Sequence, residues 1–209
     1  MSSTRAQILK EATQQLTSVG YTAFTVASVR DALGLSSGSM FHAFASKPAL
    51  AAAVYVEGMS AYQRAALDAI EAEPDPAGAV SALIATHLCW IQDHPELARY
   101  LFSTLPTEVM ELAQQPLSER NAAFYQRVEA LFRSATAAGL MGPLDLSVAH
   151  ALCIGPAQEY GRKWTRGLAT APPRALIRTL QAAALAGLAS TRPARRTRTL
   201  KPIARRNGK

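Results

Sequence analysis

Residues 25–44 read TVASVRDALGLSSGSMFHAF, and the five at their centre, Gly34-Leu35-Ser36-Ser37-Gly38, admit two incompatible readings. As G-x-S-x-G they have the form of a nucleophile elbow, where a buried strand enters a strained turn that lifts a serine hydroxyl above a sheet. As the corner between two short helices they are a helix-turn-helix. The flanks decide between them. Val26, Val29 and Leu33 recur at helical spacing with Arg30 and Asp31 between them, so a helix and not a strand leads into Ser36. The alternating strands and helices that an α/β-hydrolase needs are missing from the rest of the chain. His150 as a distant base adds little, because one His and one acid occur in most sequences, and the esterase reading is set aside.

The helical corner gives each residue a task. Gly34 permits the positive φ of a tight turn. Leu35 is an apolar plug beneath it, and Ser36 accepts from orphan amides of the next helix. Gly38 keeps that helix slim in its first turn. Ser37, Ser39 and His42 face outward as short polar groups, while Met40, Phe41 and Phe44 are expected to anchor the helix in apolar contacts.

Outward from this corner the chain reads as all-α. A first helix is expected over Thr4–Val19, with capping-box spacing between Thr4 and Gln7, an apolar face of Ile8, Leu9, Ala12, Leu16 and Val19, and a stop at Gly20. Thr25 caps the helix before the corner. Ser46 caps a long helix reaching about Glu73, with Pro48 tolerated in its first turn. Asp75 and Pro76 open the next, which Pro95 stops. Short helices punctuated by Pro95, Pro106 and Pro116 are expected to follow. Long ones then span about Leu117–Ala138 and Leu144–Arg166, the second kinked at Gly155-Pro156, and a last one runs from Pro172-Pro173 to about Ala189.

Composition bounds the class. The 209 residues are 49% hydrophobic, enough for a real core, and 18% charged, low against a typical value of about 25%. That shortage implies helix surface buried between subunits. Two cysteines, Cys89 and Cys153, make no disulfide framework. With no apolar N-terminal segment and no run near the roughly 18 apolar residues of a membrane span, a reduced cytoplasmic setting without membrane contact is expected. The net charge of +7 is concentrated at one end: RPARRTRTLKPIARRNGK, residues 192–209, holds eight Lys or Arg and no acid, and the remainder nets −1. Such a tail suits a polyanion, and it equally suits a disordered solubiliser.

Residues 5–50, through ILKEATQQLTSVGYTAFTVASVRDALGLSSGSMFHAFASKPAL, resemble the DNA-binding domain of the tetracycline-repressor (TetR) family. The Gly20-Tyr21 pair, the Thr25 cap, the Gly-Leu-Ser turn, Gly38-Ser39-Met40-Phe41-His42 and Phe44-x-Ser46-Lys47 carry the likeness. Two positions depart from the pattern. Arg30 stands where the family has a small residue, and Phe41 where it often has a tyrosine whose hydroxyl reaches a phosphate. These departures keep open an alternative: a small all-α enzyme or ligand carrier whose DNA-binding motif has degenerated.

The resemblance implies a division into a helix-turn-helix domain at 1–50, an effector-binding and dimerisation domain at 51–190, and the basic tail at 191–209. It implies a ligand-responsive repressor that binds a near-palindromic double-stranded operator as a homodimer. Ser37, Ser39 and Met40 would lie near base edges. Thr25, His42 and Lys47 would hold phosphates, with Ser36, Gly38 and Phe41 completing the surface. The dimer would form on the two long helices at 117–138 and 144–166. The stripe of Leu117, Phe124, Val128, Leu131 and Ala135 is read as dimer face, against an internal core as the competing reading. A small hydrophobic effector would sit among His87, Trp90, Tyr100, Phe102, Met110, Phe124 and Trp164 and act through the long fourth helix. Neither a cofactor nor a metal is expected. His150 and Cys153 share a helix face, but two ligands do not close a zinc site.

Overall fold

A computed structural model describes residues 3–193, and within them nine α-helices and one 3-10 turn make all the regular structure. They are α1 (Thr4–Ala23), α2 (Val26–Ala32), α3 (Ser37–Ala43), α4 (Lys47–Glu71), α5 (Pro76–Asp93), α6 (Pro95–Leu101), α7 (Thr107–Ala137) and α8 (Leu146–Trp164). The 3-10 turn Pro173–Leu176 then leads into α9 (Ile177–Ser190). The chain is all-α, as its periodicity predicts. The basic tail falls outside the described residues from 194 onward.

Local chemistry sets most helix starts. Thr25 Oγ1 accepts from Ser28 N at 3.1 Å, Ser36 Oγ from Ser39 N at 3.1 Å, and Ser46 Oγ from Ala49 N at 3.2 Å. Asp75 Oδ1 accepts from both Ala77 N and Gly78 N at 2.9 Å. Each satisfies amides that have no partner inside the helix. The first helix differs from expectation: its cap is Ser3, whose Oγ accepts from Ala6 N at 3.3 Å, and Thr4 is already helical. Gly20 does break that helix, with φ of 77°.

The prolines behave differently from one another. Pro76 and Pro95 open helices, where a missing N–H costs nothing. Pro116 does not divide the chain as expected. It lies inside α7, which runs through it for 31 residues. Pro116 removes one ladder bond of that helix. What offsets the loss is the inward stripe of Val109, Ala113, Phe124, Val128 and Leu131 along α7, which holds both halves against the body, mainly against α4. Pro156 likewise sits inside a continuous α8.

Two apolar cores result. The first joins Ile8, Leu16, Phe24, Val29, Met40, Phe44 and Leu50 of the N-terminal helices to Val54, Tyr62, Trp90, Tyr100 and Val109. The second is built from Ala66, Leu83, Ile84, Leu88, Phe124, Val128, Leu131, Cys153, Ile154 and Leu188. α4 contributes to both and is the strut between them. The stripe read as a dimer face is corrected here. Phe124, Val128, Leu131 and Ala135 are buried within the chain itself, because α4 and α5 cover them.

The close of the second core rests on one glycine. A Cβ on Gly142 would stand 2.2 Å from the Thr191 carbonyl oxygen, and Gly142 N donates to Thr191 Oγ1 at 2.9 Å. Gly142→Ala therefore forces the end of α9 off the α7–α8 loop and is expected to destabilise by about 1–3 kcal/mol. Urea denaturation of the two chains measures it, and equal midpoints would show that α9 yields freely.

Candidate nucleic-acid interface and interior site

α1, α2 and α3 form an N-terminal head. Gly34 takes φ of 62°, and Leu35 N donates to Arg30 O at 3.0 Å, which closes the turn. The helix before Ser36 removes the strand that a nucleophile elbow requires, and the Ser36 hydroxyl is engaged as a cap.

α3 presents a polar strip. Ser36, Ser37, Gly38, Ser39 and His42 are exposed, and Thr25 is exposed at the head of α2. Two residues of the expected set are corrected. Met40 is 1% exposed and packs in the first core, so it supports α3 and does not face bases. Phe41 is 57% exposed and anchors nothing inside the domain; it stands on the outer surface beside His42. Arg30 forms an ion pair with Asp31 at 2.6 Å and donates from Nη1 to Ser37 Oγ at 3.3 Å. The guanidinium thus ties the end of α2 to the start of α3, and the helices accommodate it without loss of the turn.

Two cations frame the strip. Arg5, which the sequence reading did not single out, lies 4.1 Å from the Phe44 ring centroid and donates to Ala43 O at 2.6 Å. The signal for it was an aromatic at the end of the third helix with a cation at the start of the first, but nothing local joins them. Lys47 Nζ stands 4.5 Å over the Tyr21 ring and 3.4 Å from Thr22 O. Both charges sit at the edge of the head.

The head is fastened to the body through α1. Arg99 Nη2 on α6 donates to Thr17 O at 2.9 Å, and Tyr21 Oη donates to Glu108 Oε1 at 2.8 Å at the start of α7. Tyr100 Oη donates to Ala51 O at 2.9 Å, which pins α6 to α4. α6 is thereby bonded to α1 of the head and to α4.

Inside the body the residues expected around an effector separate. His87, Trp90 and Phe102 meet, joined by Tyr62, which the sequence reading passed over because α4 was read only as a connector. Tyr62 lies 5.3 Å from Trp90 and 5.9 Å from Phe102 between ring centroids, and Phe102 lies 5.5 Å from His87. Tyr100 belongs to the same core but is spent on Ala51, and Trp164 packs at its margin. Phe124 is in the other core, and Met110 is on the surface of α7. The distribution follows from helix faces: Phe124 lies on the inward stripe of α7 below the first core, and Met110 lies one residue off that stripe.

His87 Nδ1 is 2.8 Å from Tyr62 Oη, and Nε2 has no partner. Burial away from water pulls the His87 pKa down to about 3 and pushes the Tyr62 hydroxyl well above its usual range. Burial also raises the Cys153 thiol to about 12, so it is an inert core group. Among the described residues no three His, Cys, Asp or Glu side chains gather into a metal site, and no helix is long and apolar enough to cross a membrane.

Residues 8–54 match the model of the bacterial regulatory proteins of the tetR family. No curated protein matches the chain. Solved structures share its fold over most of both chains. A TetR family transcription regulator from Marinobacter aquaeolei VT8 matches at 18% identity over 88% of this chain and 94% of its own, with a TM-score of 0.70. FadR from Bacillus subtilis, solved in complex with stearoyl-CoA, matches at 16% over 87% and 98%, with a TM-score of 0.73. The ketosteroid transcriptional regulator KstR2 of Mycobacterium tuberculosis matches at 19% over 90% and 96%, with a TM-score of 0.65. At these identities the likeness is one of fold. The capped corner at Gly34–Ser36, the buried supports beneath α3 and the match over residues 8–54 converge on an N-terminal domain of the kind found in the tetR family of bacterial regulatory proteins.

Proposed function

We propose that this protein is a ligand-responsive transcriptional regulator that binds a near-palindromic operator as a homodimer and is released by a small hydrophobic effector. The observation that carries the reading is the exposed polar strip of α3, held by a buried core and tied through α1 to a body with an aromatic site. One such helix offers few base contacts. A two-fold pair places two of them in successive major grooves, about 34–36 Å apart. Ser37 and Ser39 lie towards base edges, and Thr25, His42 and Lys47, with Arg5, towards phosphates. Residues 1–50 act as the reading head and 51–190 as the effector and dimerisation body. The effector site centres on Tyr62, His87, Trp90 and Phe102. Occupation there shifts α6, and through Arg99 the spacing of the heads.

The two-fold face is assigned to α8 and α9. Val148 is 44% exposed, Ala151, Ala182, Ala183 and Ala186 are exposed, and no charged residue occurs between Thr179 and Ser190. Two such helices from each protomer make a four-helix bundle. Charging the face with Val148→Glu and Ala183→Glu is expected to give a monomer in light scattering with unchanged helical circular dichroism. A dimer that survives both changes would place the interface elsewhere.

The function is tested by a gel shift of the full chain on the DNA upstream of its own gene. A band that fits two protomers and fades with salt is expected. No band at low salt would overturn the reading.

A further inference from the structure

His87 is 1% exposed, yet its Nε2 meets no hydrogen-bond partner. The proton on its ring can be placed. Tyr62 Oη is bonded to Nδ1 alone. Were Nδ1 protonated, the Tyr62 hydroxyl would accept, its own proton would find no acceptor, and Nε2 would hold an unfilled lone pair. Two buried polar groups would go unpaired. With Tyr62 donating to Nδ1, only one is left, the N–H at Nε2, and leaving fewer buried groups unpaired costs less. Nε2 is a donor without a partner at full hydrogen-bond geometry.

The surroundings define what would satisfy it. Trp90 and Phe102 enclose the pair, and Phe102 is only half-buried at the end of α6. Gln158 of α8 reaches the His87 ring as a weak hydrogen-bonding neighbour, short of a full bond at Nε2, and the His150 ring of α8 also bears on it. Among the described residues no carboxylate, lysine or arginine shifts the His87 ring. An anionic ligand would be buried there without a counter-charge, which is costly, and a cation would face a donor. An open, largely apolar groove of about 560 Å³ runs along the flank of α7 past Met110, Leu117, Asn121 and Tyr125, with Glu111 on its wall. Leu117 packs on the core that contains Tyr62, and Asn121 Oδ1 is a second buried atom without a partner. Its volume is that of a small-molecule site.

We infer, building on the effector reading above, that the effector is an uncharged apolar molecule presenting a carbonyl oxygen, as a ketone, ester or thioester does, to His87 Nε2. Its apolar remainder lies towards the α7 groove, and Gln158 supplies a second hydrogen bond. Phe102 turns aside to admit it, which couples occupation to α6.

The experiment titrates the full chain at pH 8 with 2-octanone, octane and octanoate and follows tryptophan fluorescence. The ketone is expected to bind roughly tenfold more tightly than either other probe, the worth of one buried hydrogen bond. In His87→Phe, checked for folding by circular dichroism, ketone and alkane should bind alike. Tyr62→Phe provides a second variant: it frees Nδ1 to hold the proton, and the preference for the ketone should shrink. Octane or octanoate binding as well as the ketone, or a preference that persists in both variants, overturns the inference and leaves a hydrophobic effector site standing. Failure of all three probes to bind overturns the effector reading with it.

Discussion

Gly38→Glu is expected to abolish operator binding while leaving the fold intact or slightly more stable. A Cβ at Gly38 meets only Ser36 Oγ, at 3.9 Å, so the added side chain projects freely from the first turn of α3. Leaving glycine inside a helix gains about 0.5–1 kcal/mol, and an acid near a helix N-terminus gains a few tenths more. The DNA-facing consequence has the opposite sign. The same carboxylate enters a groove walled by phosphates, loses solvent and repels them, and a loss of about a hundredfold or more in affinity follows, roughly 3 kcal/mol. Gel shifts with a fluorescent operator read the affinity, and thermal unfolding reads the fold. A variant that binds as the parent does would show that α3 is not the reading helix. A variant that unfolds would show that the first turn of α3 is packed against something.

Acidification is expected to destabilise the protein between pH 6.5 and about 3 through His87. The sign follows from where the proton binds. The unfolded histidine protonates near its ordinary pKa of 6.5, while the folded ring stays neutral down to about 3. Across that window the unfolded state holds the extra proton, so stability is full above pH 6.5, is lost as pH falls and levels off once both states are protonated. At about 1.4 kcal/mol per unit, the loss by pH 4.5 is on the order of 2–3 kcal/mol. His150, lowered by burial, acts in the same direction. Urea unfolding at pH 7.0, 5.5 and 4.5, at fixed protein concentration because the proposed dimer would make stability depend on it, measures the slope. His87→Phe should flatten most of it. An undiminished slope in that variant would mean that the buried ring already takes up a proton in the folded state, and the neutral site would be lost with it.

The helix-turn-helix was legible because every device that makes it is local. Thr25, Ser36 and Ser46 each satisfy an amide three residues away, and Gly34 sets its own φ. Such interactions are written in the spacing of residues along the chain. The interior site was legible in part. His87, Trp90 and Phe102 were found as large side chains with polar tips, whereas Tyr62 was missed, since its partner lies 25 residues away on another helix. Arg5 was missed for the same reason, since it meets Ala43 from 38 residues away.

By itself the sequence determined that this chain is helical, where most helices begin, and which corner turns a short helix outward. Only the tertiary structure decided that α7 passes through Pro116, that Phe124 and Val128 face inward rather than towards a second protomer, that Met40 supports and Phe41 protrudes, and that one histidine nitrogen is buried without a partner. Apolar periodicity states that a helix has a face to bury but carries no label for what buries it. The neighbour is chosen by the packing of all the helices together.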